Sequence, residues 1–212
     1  MPNPFAIAVL ASGNGSNLQA IIDRLHGRGR IEVVAVGSDK RDAAALGRAA
    51  GAAIATRVFE RGGYRDRESR DAAIAGWLVD QGVELVVLAG YMQLLSPSFI
   101  RRFAGRIINV HPSLLPAFPG LDAVAQAQRH GVRISGVTVH FVDEGLDTGP
   151  IILQEPVRLA YAAESVESTQ ISEQIRAIEH RLLPQAIELI AAGAVSIDRD
   201  NPRLVRITEV DS

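Results

Sequence analysis

The chain has 212 residues, of which 47% are hydrophobic, with no cysteine and a formal net charge of −2 at pH 7. A chain of this length can bury one large core, whereas the lack of cysteine excludes a disulfide framework, a thiolate metal site and a cysteine nucleophile. The charge balance argues against a nucleic-acid or membrane surface carried by bulk charge, and no apolar run approaches the ~20 residues that span a bilayer. We therefore expect a soluble, cytoplasmic protein.

The first half of the chain predicts alternating strands and helices. The apolar run at residues 5–11 predicts a strand, the turn SGNGSN follows at 12–17, and apolar residues from Leu18 to Leu25 recur at helical spacing. Further apolar runs lie at 31–36, 52–56, 84–89 and 106–110, with helical patterns at 43–50 and 64–81. Strands that are apolar on consecutive residues and alternate with helices are typical of a parallel sheet covered on both faces.

The second half begins with a proline-rich loop. The segment NVHPSLLPAFPG, residues 109–120, contains three prolines, which exclude both a helix and a central strand there. Beyond it the pattern predicts a helix at 121–130, strands at 134–142 and 150–159, a long helix at 165–192, and a polar tail from 198 that we expect to be only partly ordered. The predicted fold class is α/β, with an open, mostly parallel Rossmann-like sheet, helices on both faces, and antiparallel edge strands in the C-terminal part.

Three loops of this predicted sheet are candidates for a ligand site. In open α/β sheets, ligands bind outside the carboxyl ends of the strands. That rule places SGNGSN, the turn after Gly90 and NVHPSLLP on one rim. We therefore expect three segments that are far apart in sequence to share one crevice.

The turn SGNGSN has two interpretations. Gly13 and Gly15 can take positive φ and leave N–H groups exposed at the start of a helix, where unsatisfied donors and the macrodipole favour an anion such as phosphate. The spacing matches neither the dinucleotide fingerprint nor the P-loop. The alternative is an ordinary turn in which Ser16 or Asn17 caps the helix.

The segment AGYMQLLSP, residues 89–97, also has two interpretations. Its apolar residues Met92, Leu94 and Leu95 leave a buried strand near the same rim. They either cover the edge of the core or form an apolar wall for a flat ligand.

Asn109 and His111 are the strongest candidates for chemistry. They lie two residues apart at a strand end, so in extended geometry both side chains point to one side of the sheet. The other four histidines are less well placed, and the apolar neighbours of His140 in its strand favour a structural role.

A cluster of carboxylates lies in DEGLDTG. Asp143 and Glu144 are interpreted as parts of a solvated turn, whereas Asp147, next to a Thr-Gly-Pro turn, is expected to point inward. A carboxylate beside an imidazole favours the imidazolium form and fixes its orientation, so Asp147 and His111 can form an acid–base pair. Together with Asn109, the pair suits a reaction in which charge develops on a carbonyl oxygen.

Four segments together resemble those of a known family. VLASGNGSNLQAII, VVLAGYMQLLSPSF, INVHPSLLPAFPG and GVTVHFVDEGLDTGPII, in this order and spacing, resemble the folate-dependent phosphoribosylglycinamide formyltransferases of purine biosynthesis, over residues 5–192. The resemblance implies formyl transfer from 10-formyltetrahydrofolate, as co-substrate, to the primary amine of glycinamide ribonucleotide. It implies no metal.

The resemblance also assigns roles to individual residues. It implies that the catalytic residues are Asn109, His111 and Asp147. It implies that glycinamide ribonucleotide is bound by Gly15, Ser16, Asn17 and Glu179. It implies a folate pocket lined, largely through backbone contacts, by Arg67, Met92, Gln93, Leu94, Leu95, Asn109, Asp143, Glu144, Gly145, Leu146 and Asp147.

The domain organisation follows from the same resemblance. It implies one formyltransferase domain over 1–212, with a phosphate-binding half at 5–110, a catalytic and folate-binding half at 111–195, and a tail at 196–212. We expect a monomer or homodimer that binds small molecules, with no nucleic acid and no membrane. The sequence departs from many relatives near Asp122 and Val124, where they carry a histidine.

Three rival functions remain at this stage. Formyltetrahydrofolate hydrolase uses the same residues with water as acceptor, but that family carries an extra N-terminal domain, whereas the first strand here starts at Phe5. Methionyl-tRNA formyltransferase has a further C-terminal domain and a basic surface, against which the short tail and the net charge argue. The third rival is a non-catalytic module that binds a nucleotide phosphate, in which His111 is structural.

Overall fold

The computed structural model describes residues 3–159 and 166–208 of the chain. It divides into two compact units, Met1–Asn109 and Val110–Ser212. The single domain over 1–212, with its two halves and tail, stays a prediction. Among the described residues, no helix combines the length and the apolar character that crossing a bilayer requires.

The first unit is built on parallel strands. Its elements are β1 (Phe5–Leu10), α1 (Ser16–Arg24), β2 (Ile31–Ser38), α2 (Ala44–Gly51), β3 (Ala55–Val58), α3 (Arg67–Asp80), β4 (Leu85–Leu88), α4 (Pro97–Arg102) and β5 (Ile107–His111), whose last residues belong to the second unit. The strands are ordered β3-β2-β1-β4-β5, and each pair is parallel. The predicted alternation of strands and helices is confirmed.

The core of this unit is formed by the central strands. All four residues of β4 are buried, and so are the last four of β1. A strand buried on both faces carries no polar alternation, which is why these segments are continuous apolar runs. The consequence for function is that polar groups in this unit concentrate where the strands end.

Helix α4 was not predicted, although the sequence contains its start signal. Ser96 is the N-cap and accepts a hydrogen bond from the N–H of Phe99 (3.4 Å), and Pro97 occupies the first helical position. Both residues are favoured at those positions. Phe99 and Phe103 pack against each other in the core, with ring centroids 4.9 Å apart.

The second unit is built on antiparallel strands and one long helix. Its elements are α5 (Ala123–Arg129), β6 (Ile134–Phe141), β7 (Ile151–Arg158), α6 (Val166–Ala191), β8 (Val195–Ile197) and β9 (Val205–Ile207). The pairs β6–β7 and β8–β9 are antiparallel. The α/β class, with parallel strands followed by antiparallel strands in the C-terminal part, is confirmed.

The tail is more regular than the sequence suggested. Strand β9 lies in the region from residue 198 that we expected to be only partly ordered, and β8 ends directly before that region. Asp198 forms the turn between them, because its Oδ1 accepts from the N–H groups of Asp200 and Asn201, and its Oδ2 lies 2.5 Å from Nε of Arg206. These bonds, the N–H of Asn201 foremost, lower the pKa of Asp198. Each strand has only three residues, too few for a period-two pattern to be detected.

Candidate active site

The turn SGNGSN leads from β1 into α1 as predicted. Gly15 is the N-cap of α1, in the left-handed conformation with φ 73°. A Cβ there would lie 2.7 Å from Ala45, so both the backbone angle and the packing require glycine. The interpretation in which Ser16 or Asn17 caps the helix is wrong, because the cap is Gly15. The first turn of α1 therefore offers its N–H groups and the positive end of the helix dipole to an anion.

The loop after β4 meets the loop after β1. The N–H of Ser12 donates to the carbonyl of Gly90 (3.1 Å), and the hydroxyl of Ser12 accepts from the N–H of Met92 (2.8 Å). Two of the three segments expected on one rim are thus brought together. Asn109, in the same parallel sheet, is paired with Leu88 at the end of β5.

The interpretation that residues 92–95 cover the core holds for Leu95, whereas the interpretation of an apolar wall for a flat ligand stays a prediction. Leu95 is 8% exposed and covers the core, whereas Met92 and Leu94 are 57% and 63% exposed. Large apolar side chains that stay exposed side by side at a strand end are suited to contact a flat ligand.

A buried ion pair that no sequence pattern predicts lies beneath this loop. Arg70 is 2% exposed, and its Nε and Nη2 donate to Oδ1 of Asp71 at 3.0 and 2.8 Å. The other Asp71 oxygen accepts from the N–H of Ser96 at 2.6 Å. Arg70 also donates to the carbonyl of Leu94 (3.3 Å). A charge pair this deep is tolerated only when its remaining donors and acceptors are satisfied, and here the loop backbone satisfies them.

The side chain of Gln93 is held at both ends. Its Oε1 accepts from Arg70 (3.0 Å), and its Nε2 donates to Oδ2 of Asp39 (2.9 Å). Both ends of the Gln93 side chain are therefore bonded within the protein, and its contact with folate stays a prediction. Tyr91 is buried beside these charges, and burial raises the pKa of its hydroxyl.

His111 and Asp147 are brought together in the second unit. Nδ1 of His111 lies 3.4 Å from Oδ2 of Asp147, and both side chains are largely buried. Nε2 of His111 lies 2.8 Å from the carbonyl of Phe118. Because a carbonyl only accepts, Nε2 carries a hydrogen, and the Nδ1 side of the ring faces the carboxylate. The predicted pairing of Asp147 with His111 is present in the structure.

The proline-rich loop fixes both members of this pair. Its Phe118 carbonyl holds the imidazole, and its Gly120 N–H donates to Oδ2 of Asp147 at 2.8 Å. Phe118 and Asp147 both adopt left-handed φ values, 54° and 53°, which non-glycine residues rarely take. Such backbone strain is often found at functional sites.

Thr138 in β6 supports the same loop from the core. It is fully buried, and its hydroxyl donates to the carbonyl of Ser113 (2.7 Å) while accepting from the N–H of Leu115 (3.1 Å). Gln154 donates to the same hydroxyl (2.9 Å). The hydroxyl hydrogen is used by the loop, so Thr138 is placed to hold the loop in shape.

His140 was interpreted as a structural histidine and is indeed buried, but it also faces the site. Its Nδ1 donates to the carbonyl of Phe141 (2.8 Å), and its Nε2 lies 3.7 Å from Oδ1 of Asp147. Burial lowers the pKa of His140, against the opposing effects of that carbonyl and of Asp147. The sequence did not predict the contact between His140 and Asp147. The apolar neighbours of His140 show that its strand is buried, but not which distant side chain it faces.

Asp143 closes the turn DEGLDTG. Its Oδ1 accepts from the N–H of Gly145 (3.0 Å) and from the hydroxyl of Thr148 (2.6 Å). Glu144, Gly145 and Leu146 are exposed, whereas Asp147 is half-buried. The prediction of a solvated turn with one inward carboxylate matches this arrangement.

Arg67 and Glu179 lie outside the groupings described so far. Arg67 is exposed at the first position of α3, after the N-cap Asp66. Glu179 is half-buried within α6. Their assignment to folate and to glycinamide ribonucleotide stays a prediction.

The fold and the His111–Asp147 pair define an α/β protein equipped for acid–base chemistry. A sequence model of the formyl transferase family matches residues 5–187, and the chain belongs to this family.

Individual relatives agree with this membership. The chain is 43% identical over 182 residues to phosphoribosylglycinamide formyltransferase of Bacillus subtilis, a match that covers 85% of this chain and 92% of the relative. It is 42% identical over 209 residues to the trifunctional purine biosynthetic protein adenosine-3 of Bos taurus, covering 98% of this chain but only 20% of that protein. The crystal structure of glycinamide ribonucleotide transformylase 1 from Symbiobacterium toebii superposes with a TM-score of 0.91 at 45% identity, covering 99% of this chain and 96% of that one. The resemblance drawn from the four segments is confirmed.

Proposed function

We propose that the protein transfers the formyl group of 10-formyltetrahydrofolate to the primary amine of glycinamide ribonucleotide. The observation that carries the proposal is the contact between His111 and Asp147, 3.4 Å apart in a member of the formyl transferase family. The relatives named above as formyltransferases and transformylase support this acceptor and do not favour the hydrolase or the binding module.

The proposed chemistry is direct transfer. The neutral amine attacks the formyl carbon, and negative charge develops on the formyl oxygen. The amide of Asn109 and the imidazolium of His111 stabilise that charge by hydrogen bonding. The carbon–nitrogen bond to the folate then breaks, and the proton lost by the attacking amine is passed to the departing folate nitrogen.

The geometry around His111 supports different roles for its two nitrogens in this proposal. Because Nε2–H is held by the Phe118 carbonyl, proton exchange with the substrates is left to Nδ1. Asp147 lies on the Nδ1 side and stabilises the imidazolium electrostatically. A ring held on one side by a backbone carbonyl enters the reaction already oriented, so little reorganisation is needed.

The remaining assignments concern substrate binding. Gly15, Ser16 and Asn17 bind the phosphate of glycinamide ribonucleotide, since a helix N-terminus favours an anion. Met92 and Leu94 contact the flat ring of the folate, and the exposed residues of DEGLDTG also take part in folate binding. Arg67 contacts the folate, and Glu179 lies near the glycinamide amine. No metal takes part, so turnover should persist in the presence of a chelator.

One assay tests this proposal. Purified protein is incubated with 10-formyltetrahydrofolate, with and without glycinamide ribonucleotide, and both formylated product and free formate are measured by mass spectrometry. We expect product only when the ribonucleotide is present. Formate release without an amine would instead identify a hydrolase, and no turnover under either condition would favour the binding module.

A further inference from the structure

Arg48 in α2 donates three hydrogen bonds, two to the loop SGNGSN and one to the helix α1 that follows it. Its Nε donates to the backbone carbonyl of Asn14 (2.8 Å), its Nη2 to Oδ1 of Asn14 (3.1 Å), and its Nη1 to Oε1 of Gln19 in α1 (3.1 Å). The guanidinium thus connects α2 with both the loop and the helix that follows it. None of the roles discussed above involves this residue.

A second bond from α2 reaches the preceding carbonyl of the same loop. The N–H of Ala45 donates to the carbonyl of Gly13 (3.2 Å), and Ala45 lies where a side chain at Gly15 would have to fit. Two consecutive loop carbonyls, those of Gly13 and Asn14, are therefore both turned toward α2.

The direction of these carbonyls fixes the direction of the next N–H groups. In a planar trans peptide, the C=O of one residue and the N–H of the next point in opposite directions. The N–H groups of Asn14 and Gly15 must then point away from α2. Successive N–H groups that lie on one side of a turn, with a left-handed residue such as Gly15 among them, are suited to bind an anion.

We propose that Arg48 is a positioning residue for the phosphate of glycinamide ribonucleotide. This inference rests on the proposed function. Arg48 acts through the loop, by holding its carbonyls on the side opposite to the phosphate, and not by touching the phosphate. The geometry needs a planar fork with several donors, which arginine has and lysine lacks.

The experiment compares Arg48→Met, Arg48→Lys and a control, Arg41→Met. The control removes the same charge from an exposed pair with Glu60. Each protein is assayed for its KM for glycinamide ribonucleotide, its KM for the formyl donor and its kcat, and its thermal unfolding is recorded. In wild type and Arg48→Met, the affinity for glycinamide ribonucleotide is also measured by calorimetry without folate.

Arg48→Met should raise the KM for glycinamide ribonucleotide about 10- to 100-fold, the range expected when hydrogen bonds to a charged group are lost. The KM for the formyl donor should stay within about twofold of the wild-type value. Among the described residues, the hydrogen bonds of Arg48 go to Asn14 and Gln19 and not to the loop at 91–96. Arg48→Lys should resemble Arg48→Met, and Arg41→Met should resemble the wild type.

Three results would overturn the inference. Recovery of the ribonucleotide KM in Arg48→Lys would assign the effect to charge alone. An equal rise of both KM values would indicate a general structural role, and an unchanged ribonucleotide KM in Arg48→Met would leave Arg48 with no positioning role. Failure of the proposed function is separate, because it would be seen as absence of transfer in the wild type.

Discussion

Two loops that carry candidate folate-lining residues are held in opposite ways. Residues 91–96, in the first unit, are bonded from beneath by the buried charges of Arg70 and Asp71. Residues 143–149, in the second unit, are closed by their own Asp143 and tied at the surface by Arg203, which donates to the carbonyl of Thr148 (2.9 Å).

The difference indicates how easily each loop can move. Opening the loop at 91–96 would leave ionised groups unsatisfied in the core, which costs several kcal/mol. Opening the exposed turn at 143–146 would expose bonds that water can replace, at a net cost of about 1 kcal/mol for each bond. The loop at 91–96 is therefore held rigidly, and the turn at 143–146 can adjust more easily, whereas Asp147 is held by the N–H of Gly120 and by the buried His111.

The largest expected effect comes from removing the carboxylate of Asp147, in the loop at 143–149. Asp147→Asn should lower kcat by roughly 10²–10⁴-fold, because the imidazolium of His111 loses its electrostatic partner. Binding of both substrates should change much less. Glu188→Gln, which removes an exposed carboxylate from α6, is the control and should retain wild-type turnover. Wild-type turnover in Asp147→Asn would contradict the catalytic assignment.

The next largest effect is expected from the buried ion pair Arg70–Asp71 beneath the loop at 91–96. Arg70→Met leaves the carboxylate of Asp71 buried without its partner, so the free energy of unfolding in urea should fall by about 3–5 kcal/mol. Arg41→Met breaks an exposed pair and should cost at most about 1 kcal/mol.

A double variant separates the lost charge pair from lost packing. Adding Asp71→Asn to Arg70→Met removes the unpaired charge and should restore part of the stability. If Arg70→Met cost no more than Arg41→Met, the loop at 91–96 would not be held by buried charge, and the contrast between the loops would fail.

A smaller effect is expected where the second loop closes on itself. Asp143→Ala removes the acceptor for Gly145 and Thr148 and should lower the free energy of unfolding by about 2 kcal/mol, about 1 kcal/mol for each bond. The KM for the formyl donor should rise several-fold, while that for glycinamide ribonucleotide stays constant. Thr148→Val removes one of the two bonds and should give about half of the stability effect. An equal rise of both KM values would argue against a role of this loop in donor binding.

In this protein the sequence predicts two kinds of feature well. One kind is marked by a pattern that recurs along the chain, and the other depends on a single residue type. Buried strands such as β4 are continuous apolar runs, and the lack of helix and strand at 112–120, directly after β5, follows from the prolines of that segment. The pairing of Asp147 with His111 was predicted because a carboxylate beside a turn and a histidine at a strand end are both unusual placements.

What the sequence does not predict depends on contacts between distant segments. Arg70 belongs to an arginine-rich stretch that looks solvent-exposed, and only the approach of residues 93–96 buries it. Arg48 lies in an ordinary helix, and its partner Asn14 is 34 positions away. No local pattern records such pairings. Two helix start signals were present in the sequence and overlooked, namely Ser96–Pro97 for α4 and Asp66 for α3.

The smallest expected effect is a pH dependence of stability that comes from His140, behind the loop at 143–149. Burial lowers the pKa of His140 below its ordinary value of 6.5 in the folded protein. As the pH falls below about 6.5, the unfolded chain binds a proton there before the folded protein does. The contribution of His140 to stability is thus complete above that pH and declines below it, by at most about 1.4 kcal/mol per pH unit.

A comparison of wild type with His140→Asn isolates the contribution of His140 to the pH dependence of stability. The asparagine amide can still donate to the Phe141 carbonyl, and the charged groups that influence His140, namely Asp147, His111 and Asp143, are present in both proteins. Urea unfolding at pH 7.5 and pH 5.5 should show that the wild type loses about 1 kcal/mol more than the variant on acidification. Equal losses would mean that His140 takes up its proton without opening the structure. Water would then reach the surroundings of Asp147, and its carboxylate would be held no more firmly than the exposed turn at 143–146.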